Sequence, residues 1–184
     1  MISIPVHRLL AVGTAAVLAF AAPAHAATGE VRPAGAGGVL CDGTVSTTYT
    51  PGITLAPRAV SFSTTAVFDD CDSSALDGPS GGSFTASGTG TLDCALGQVS
   101  GTLLLRWNTG RQSEAQFTSV VDAKPLGETV VEDTGRIIST GDSADQFVGD
   151  AFLQTQVVVT PDPVACLTTA GVTSVSGTAV IDIG

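Results

Sequence analysis

SFTASGTGTLDCALGQVSGTLLLRW, residues 83–107, is the stretch that decides the fold. In its first half Phe84, Ala86, Gly88, Gly90 and Leu92 alternate with Ser83, Thr85, Ser87, Thr89 and Thr91. In its second half Val99, Gly101, Leu103, Leu105 and Trp107 alternate with Gln98, Ser100, Thr102 and Arg106. A period of two puts each set on its own face of an extended strand. An apolar face backed by Ser and Thr marks an antiparallel sheet with one side packed and the other in water. The break between the halves, Ala95-Leu96-Gly97, is turn chemistry.

The same period runs outward in both directions. Val60, Phe62, Thr64, Ala66 and Phe68 form one face upstream; Ala115, Phe117, Ser119 and Val121 form one downstream. Leu153, Thr155, Val157 and Val159 read as a further packed face, and Val175, Gly177, Ala179, Ile181 and Ile183 as the last. Turn signals separate the runs: Pro51-Gly52, Gly78-Pro79, Asn108-Thr109-Gly110, Pro125-Leu126-Gly127 and Gly141-Asp142. No segment carries a helical period. The expectation is an all-β fold: one antiparallel domain of about eight strands. Gly88, Gly90, Gly101, Gly135 and Gly177 fall on the inward register. Inward glycines let strands coil sharply, which favours a small β-barrel; a β-sandwich is the alternative.

Residues 1–26 have the layout of a signal peptide. His7 and Arg8 precede an apolar run, Leu9–Ala22, that ends in Pro23-Ala24-His25-Ala26, a small-x-small cleavage pattern. The run is too short to span a bilayer comfortably. This predicts a secreted chain cut near Ala26, an Ala/Gly/Pro-rich arm over 27–40, and a folded domain over 41–184 with no transmembrane segment. Four cysteines, Cys41, Cys71, Cys94 and Cys166, suit an oxidising compartment and two disulfides. A hairpin centred near residue 56, between strands at 43–49 and 59–68, sets Cys41 opposite Cys71. That leaves Cys94 with Cys166. With no C-x-x-C spacing, a zinc site is disfavoured.

After cleavage, 158 residues remain (184 less 26), with six basic residues against seventeen acidic ones. Such a surface repels nucleic acid and anionic lipid. Both histidines, His7 and His25, lie in the leader. Without His, the Ser-His-Asp, Cys-His and His–zinc chemistries are closed to the mature chain. No cofactor fingerprint occurs, so no cofactor or metal is expected.

The remaining candidates are few. Asp69, Asp70, Asp72 and Asp77 form the densest acidic patch and the expected contact surface for a basic partner; they lack calcium-loop spacing. Arg106, Trp107 and Arg111 around a hairpin form a candidate recognition patch, although the register puts Trp107 in the core. Glu132-Asp133 and Asp142 with Asp145 are the carboxylates from which a hydrolase would have to be built. Lys124, beside Pro125, reads as an exposed loop lysine. Large inward groups such as Phe62, Phe84, Phe117 and Trp107 facing small ones predict a packed interior without a sizeable cavity.

One further signal is a resemblance. The ordered string Cys41-x-Gly43-Thr44, Tyr49-x-Pro51-Gly52, Cys71, Gly90-x-Leu92-x-Cys94, Ser100-Gly101, Trp107-Asn108-x-Gly110-x-x-Ser113, Cys166-Leu167, Gly177 resembles an uncharacterised family of small secreted all-β proteins of actinobacteria with four cysteines. Its shared positions are structural, so it implies no catalytic residues. The functional expectation is a secreted, non-catalytic module that binds, inhibits or structures an unknown extracellular or cell-envelope partner. The alternatives are a lipocalin-like small-molecule barrel and a carboxylate-dependent hydrolase.

Overall fold

The alternation over residues 39–183 resolves into eight strands. The protein is described by a computed structural model over residues 37–123, 128–160, 162 and 164–184, of which 122 and 123 are described by their backbone alone. The expected leader, the first ten residues of the arm and Lys124 lie outside the described residues. The strands are β1 (Val39–Ile53), β2 (Arg58–Ser73), β3 (Gly82–Leu92), β4 (Leu96–Trp107), β5 (Gln112–Ala123), β6 (Glu128–Ile138), β7 (Ala151–Val159) and β8 (Val172–Ile183). One short 3-10 turn, Ala165–Leu167, precedes β8. Each strand pairs antiparallel with the next, and β8 pairs back onto β1, Val39 facing Ile183 and Thr47 facing Val175. The sheet is a closed up-and-down barrel, which leaves no free strand edge. Val39 and Leu40 already pair with β2 and β8, so the barrel takes in the last residues assigned to the arm.

Closure depends on the inward glycines. Gly88 and Gly101 face each other across β3 and β4. A Cβ on Gly88 would run into the Ser100 carbonyl oxygen and the ring of Phe62. The neighbouring backbone passes so close because a small barrel forces its strands to coil, and only glycine leaves the room.

Both disulfides connect the predicted partners, Cys41–Cys71 and Cys94–Cys166. The hairpin arithmetic works through a detail it did not contain. From Gly43 to Thr50 the β1–β2 register sums to 111, and a bulge between Asp42 and Gly43 shifts it so that Cys41 faces Cys71. The extra residue is Asp69, skipped between the Gly43–Phe68 and Asp42–Asp70 pairs. Pro51-Gly52, read as turn, lies inside the longer β1.

The packed face of β7 is the reverse of the sequence expectation. Leu153, Val157 and Val159 are exposed, while Phe152, Gln154, Gln156 and Val158 are buried. Two of the four inward residues are glutamines, so hydrophobicity points to the wrong face. With a side-chain period of two, that error inverts the whole strand.

The two barrel ends differ. At one, which we call the Trp end, the interior is filled by Phe68, Phe84, Leu105, Trp107, Ile137 and Ile183, each at most 4% exposed. The β6–β7 loop folds against this end. Phe147, held at φ 61°, packs edge-on against Trp107 with centroids 5.6 Å apart. Trp107 Nε1 donates to Ser113 Oγ (3.0 Å), and Ser113 Oγ donates to the Gln146 carbonyl (2.7 Å), which pins the loop down. The opposite end, the Tyr end, carries the β1–β2, β3–β4 and β7–β8 connections and the Cys94–Cys166 bridge.

Candidate functional site: a polar layer inside the barrel

The inward positions of β5, β6 and β7 bring an unexpected set of side chains together at mid-depth. On β6 the face that holds Gly135 also holds Asp133, two residues away, while Glu132 points to solvent. Across β5 the partner of Asp133 is Ser119; across β7 it is Gln154. Ser119 Oγ donates to Asp133 Oδ1, and Gln156 Nε2 donates to Asp133 Oδ2 at 2.6 Å. On the facing wall Thr47 and Thr64 share a hydroxyl hydrogen bond of 2.8 Å. Tyr49, next inward on β1, lines the same space.

The carboxylate, the two glutamines, Ser119 and the two threonines are out of water. Asp133 is 5% exposed, Gln154 1%, and Asp133 is the one buried carboxylate among the described residues. Burial raises the Asp133 pKa, against the lowering effect of the Ser119 and Gln156 hydrogen bonds. The Tyr49 hydroxyl is pushed up to about 12, first by desolvation and then by the Asp133 carboxylate. Gln154 Nε2 is buried and has no hydrogen-bond partner. Leaving such a donor unpaired costs roughly 1–3 kcal/mol. Folding alone gains nothing from this arrangement.

The polar layer borders a cavity of about 30 Å³ lined by Thr47, Tyr49, Thr64, Asp133, Gln154 and Gln156 together with apolar side chains. That is room for about two water molecules and a tenth or less of a usual small-molecule pocket. The interior is packed, as the alternation of large and small inward residues implies. The Phe62, Phe117 and Phe152 rings, in edge contacts of 6.1 and 6.4 Å, fill much of the middle. From the polar layer the lining continues through Leu92, Val99, Val121, Val131, Val158 and Val175 toward the Tyr end. Tyr49, Val99 and Val121 are part-exposed there. Around that end Leu55, Leu96 and Leu167 stand 63%, 60% and 73% exposed. The Cys94–Cys166 bridge and the Cys94 N–H bond to the Thr54 carbonyl (3.0 Å) draw them together. Two larger hollows, about 390 and 470 Å³, are open concavities of the outer faces, with Ser and Thr making up half of each lining.

The sequence candidates fall elsewhere. Asp69, Asp70, Asp72 and Asp77 are all exposed near the Trp end, and Asp70 faces Asp42 across β1–β2. Among the described residues no group of three or more His, Cys, Asp or Glu is placed to hold a metal ion. The Arg106–Trp107–Arg111 patch does not form a surface. Trp107 is core at 4% exposure, and Arg111 Nη2 donates to the Asp145 carbonyl (2.6 Å). Glu132 and Asp133 lie on opposite faces of β6, so they make no catalytic pair. Asp145 instead organises its loop, accepting from Thr140 N and Oγ1 at 2.8 Å and from Ser139 Oγ at 3.1 Å. Asp142 accepts from Ala144 N at 2.9 Å in the same loop.

Sequence reasoning missed Ser119, Gln154 and Gln156 as site residues, and read Asp133 only as half of a candidate carboxylate pair with Glu132. One signal for Asp133 was present: an inward Gly135 makes Asp133 inward too. No helix among the described residues is long and apolar enough to cross a membrane. Comparison with known proteins finds no family model, no curated protein and no solved structure that matches this chain.

Proposed function

We propose that this chain is a secreted, non-catalytic binding module that holds a small molecule through the Tyr end of its barrel. The observation that carries this reading is the polar layer, where a buried carboxylate lies beside a buried amide donor that no protein group satisfies. Buried polar groups are normally paired, and exceptions cluster at functional sites. The signal-peptide layout and the two disulfides support an extracellular setting.

The non-catalytic part rests on how the carboxylates are used. Asp133 is held by Ser119 and Gln156, Glu132 lies outside the barrel, and Asp145 is tied into its loop. Glycoside hydrolysis requires two carboxyls facing each other across a cleft, and Glu132 and Asp133 lie on opposite faces of β6.

The test is equilibrium dialysis of the folded protein against a small-molecule extract of growth medium, followed by native mass spectrometry. The expected result is a noncovalent adduct, released unchanged on unfolding and lost in Gln154→Leu. Release of a chemically altered compound, with the alteration abolished by Asp133→Asn, would identify an enzyme instead.

A further inference from the structure

The donor and acceptor positions left open in the lumen define the chemistry of a guest. We propose that the polar layer anchors a primary carboxamide, an N–H donor beside a carbonyl acceptor, with the guest's apolar remainder running out toward the Tyr end. This rests on the binding-module reading and assigns its ligand class.

Three observations carry it. Gln154 Nε2, on a side chain 1% exposed, borders the cavity with an N–H that needs an acceptor. Asp133 uses its two oxygens for Ser119 and Gln156, and a carboxylate has about four acceptor positions, so it still has room for a donor. Asp133 and Gln154 are direct partners across β6–β7, so the side chains that carry the open acceptor and the open donor are neighbours in one layer, with Cβ atoms about 5 Å apart. One planar group of three heavy atoms meets both. An ammonium would satisfy Asp133 but confront the Gln154 N–H. A carboxylate would satisfy Gln154 but repel Asp133.

Size agrees with this. The cavity of about 30 Å³ admits a head group and no more, being at the scale of about two waters. The same cavity is lined by Leu92, Val99, Val121, Val131, Val158 and Val175, which offer no hydrogen bonds to a polar tail, and of these Val99 and Val121 are part-exposed at the Tyr end. The guest is therefore amphipathic, with its amide in the cavity and its alkyl part leaving past the part-exposed Val99 and Val121.

The experiment titrates the full disulfide-bonded protein with straight-chain primary amides from acetamide to hexanamide, read by protein NMR shifts. Methyl esters, alkylammonium salts and carboxylates of matched length form the comparison arms. Saturable binding should begin at acetamide and strengthen by less than the roughly fourfold per methylene of a fully buried CH₂, because the chain beyond the amide lies at the open mouth of the cavity. Matched esters, which lack the donor, should bind about tenfold more weakly, the effect of one lost hydrogen bond. Gln154→Leu and Asp133→Asn, each near its parent in shape, should weaken hexanamide by about the same factor while keeping a native spectrum. Equal binding of amides and esters, tighter binding of ammonium or carboxylate, or hexanamide binding unmoved by Gln154→Leu would overturn the assignment. If the extract yields a lumen-bound compound while no amide binds, the carboxamide class falls and the module reading stands. If neither binds, both fall.

Discussion

The Trp end and the Tyr end of this barrel close the same eight strands with different chemistry. At the Trp end Phe68, Phe84, Leu105, Trp107 and Ile137 fill the interior, and Phe147 caps it from outside. Toward the Tyr end the interior passes through a carboxylate, two glutamines and two threonines before reaching part-exposed valines. Each end has its own disulfide, Cys41–Cys71 at the first and Cys94–Cys166 at the second. The difference separates stability from recognition. One end is built as a core. The other keeps polar groups whose burial opposes folding.

The largest expected effect tests that division directly. Trp107→Ala should cost about 3–5 kcal/mol, the usual loss for a buried aromatic. Val99→Ala at the Tyr end should cost about 1 kcal/mol, since only part of its side chain is buried. Urea unfolding of both variants gives the two numbers. Similar costs at the two ends would remove the distinction between them.

The disulfides follow. In the chain-entropy model, opening Cys94–Cys166, with a separation of 72 residues, should cost about 4 kcal/mol. Opening Cys41–Cys71, with a separation of 30, should cost about 3.5 kcal/mol. The sharper contrast is local. Cys94→Ser/Cys166→Ser should speed amide hydrogen exchange at the ends of β3, β4 and β8 nearest that bridge, and Cys41→Ser/Cys71→Ser should leave those amides slow. Exchange that rises throughout the barrel in both variants would contradict two separately clamped ends.

A smaller effect is the pH dependence. The folded pKa of Asp133 is raised by burial, so the native state holds its proton more tightly than the unfolded chain. As pH rises from the ordinary carboxylate range through the folded pKa, Asp133 lowers stability, and above that pKa the loss is complete. Asp93, in the β3–β4 turn, behaves oppositely. The Leu96 and Ala95 backbone N–H groups hold its pKa down. Its contribution is present above the unfolded pKa and is lost as pH falls through the folded one. Asp133→Asn should therefore flatten the decline in stability from acid toward neutral pH. Asp93→Asn should remove part of the loss at low pH. Unfolding free energies across pH check both slopes, and the same sign for the two residues would refute the buried placement of Asp133.

How much was readable in advance follows the same boundary. Residues 83–107 displayed their two faces because the inward side is apolar or glycine and the outer side is Ser and Thr. The Cys41–Cys71 pairing followed from a hairpin centre, even though the bulge at Asp69 is invisible in sequence. The polar layer broke the logic at β7, where Gln154 and Gln156 face inward and Leu153, Val157 and Val159 face water. Hydrophobic alternation identifies the packed face only where the core is apolar, so it inverted β7. On β6 the same layer hid Asp133 inside an acidic pair with Glu132. Gln154, Gln156 and Asp133, whose inward placement sequence reasoning missed, all line the candidate site, whereas Thr64 and Ser119 were read on their packed faces.

The most direct test of a buried polar layer uses Tyr49, the one tyrosine in the chain. An ultraviolet absorbance titration reads its ionisation without interference from another phenol. The account predicts a midpoint pushed up to about 12 in the folded protein and about 10 in denaturant. It further predicts that Asp133→Asn moves the folded midpoint part of the way back, because desolvation remains while the neighbouring carboxylate is gone. Stability should fall as pH rises between those two midpoints, and Tyr49→Phe should abolish that fall. A folded midpoint near 10, unchanged by Asp133→Asn, would mean that Tyr49 and Asp133 do not share a dry lumen, and would contradict the account.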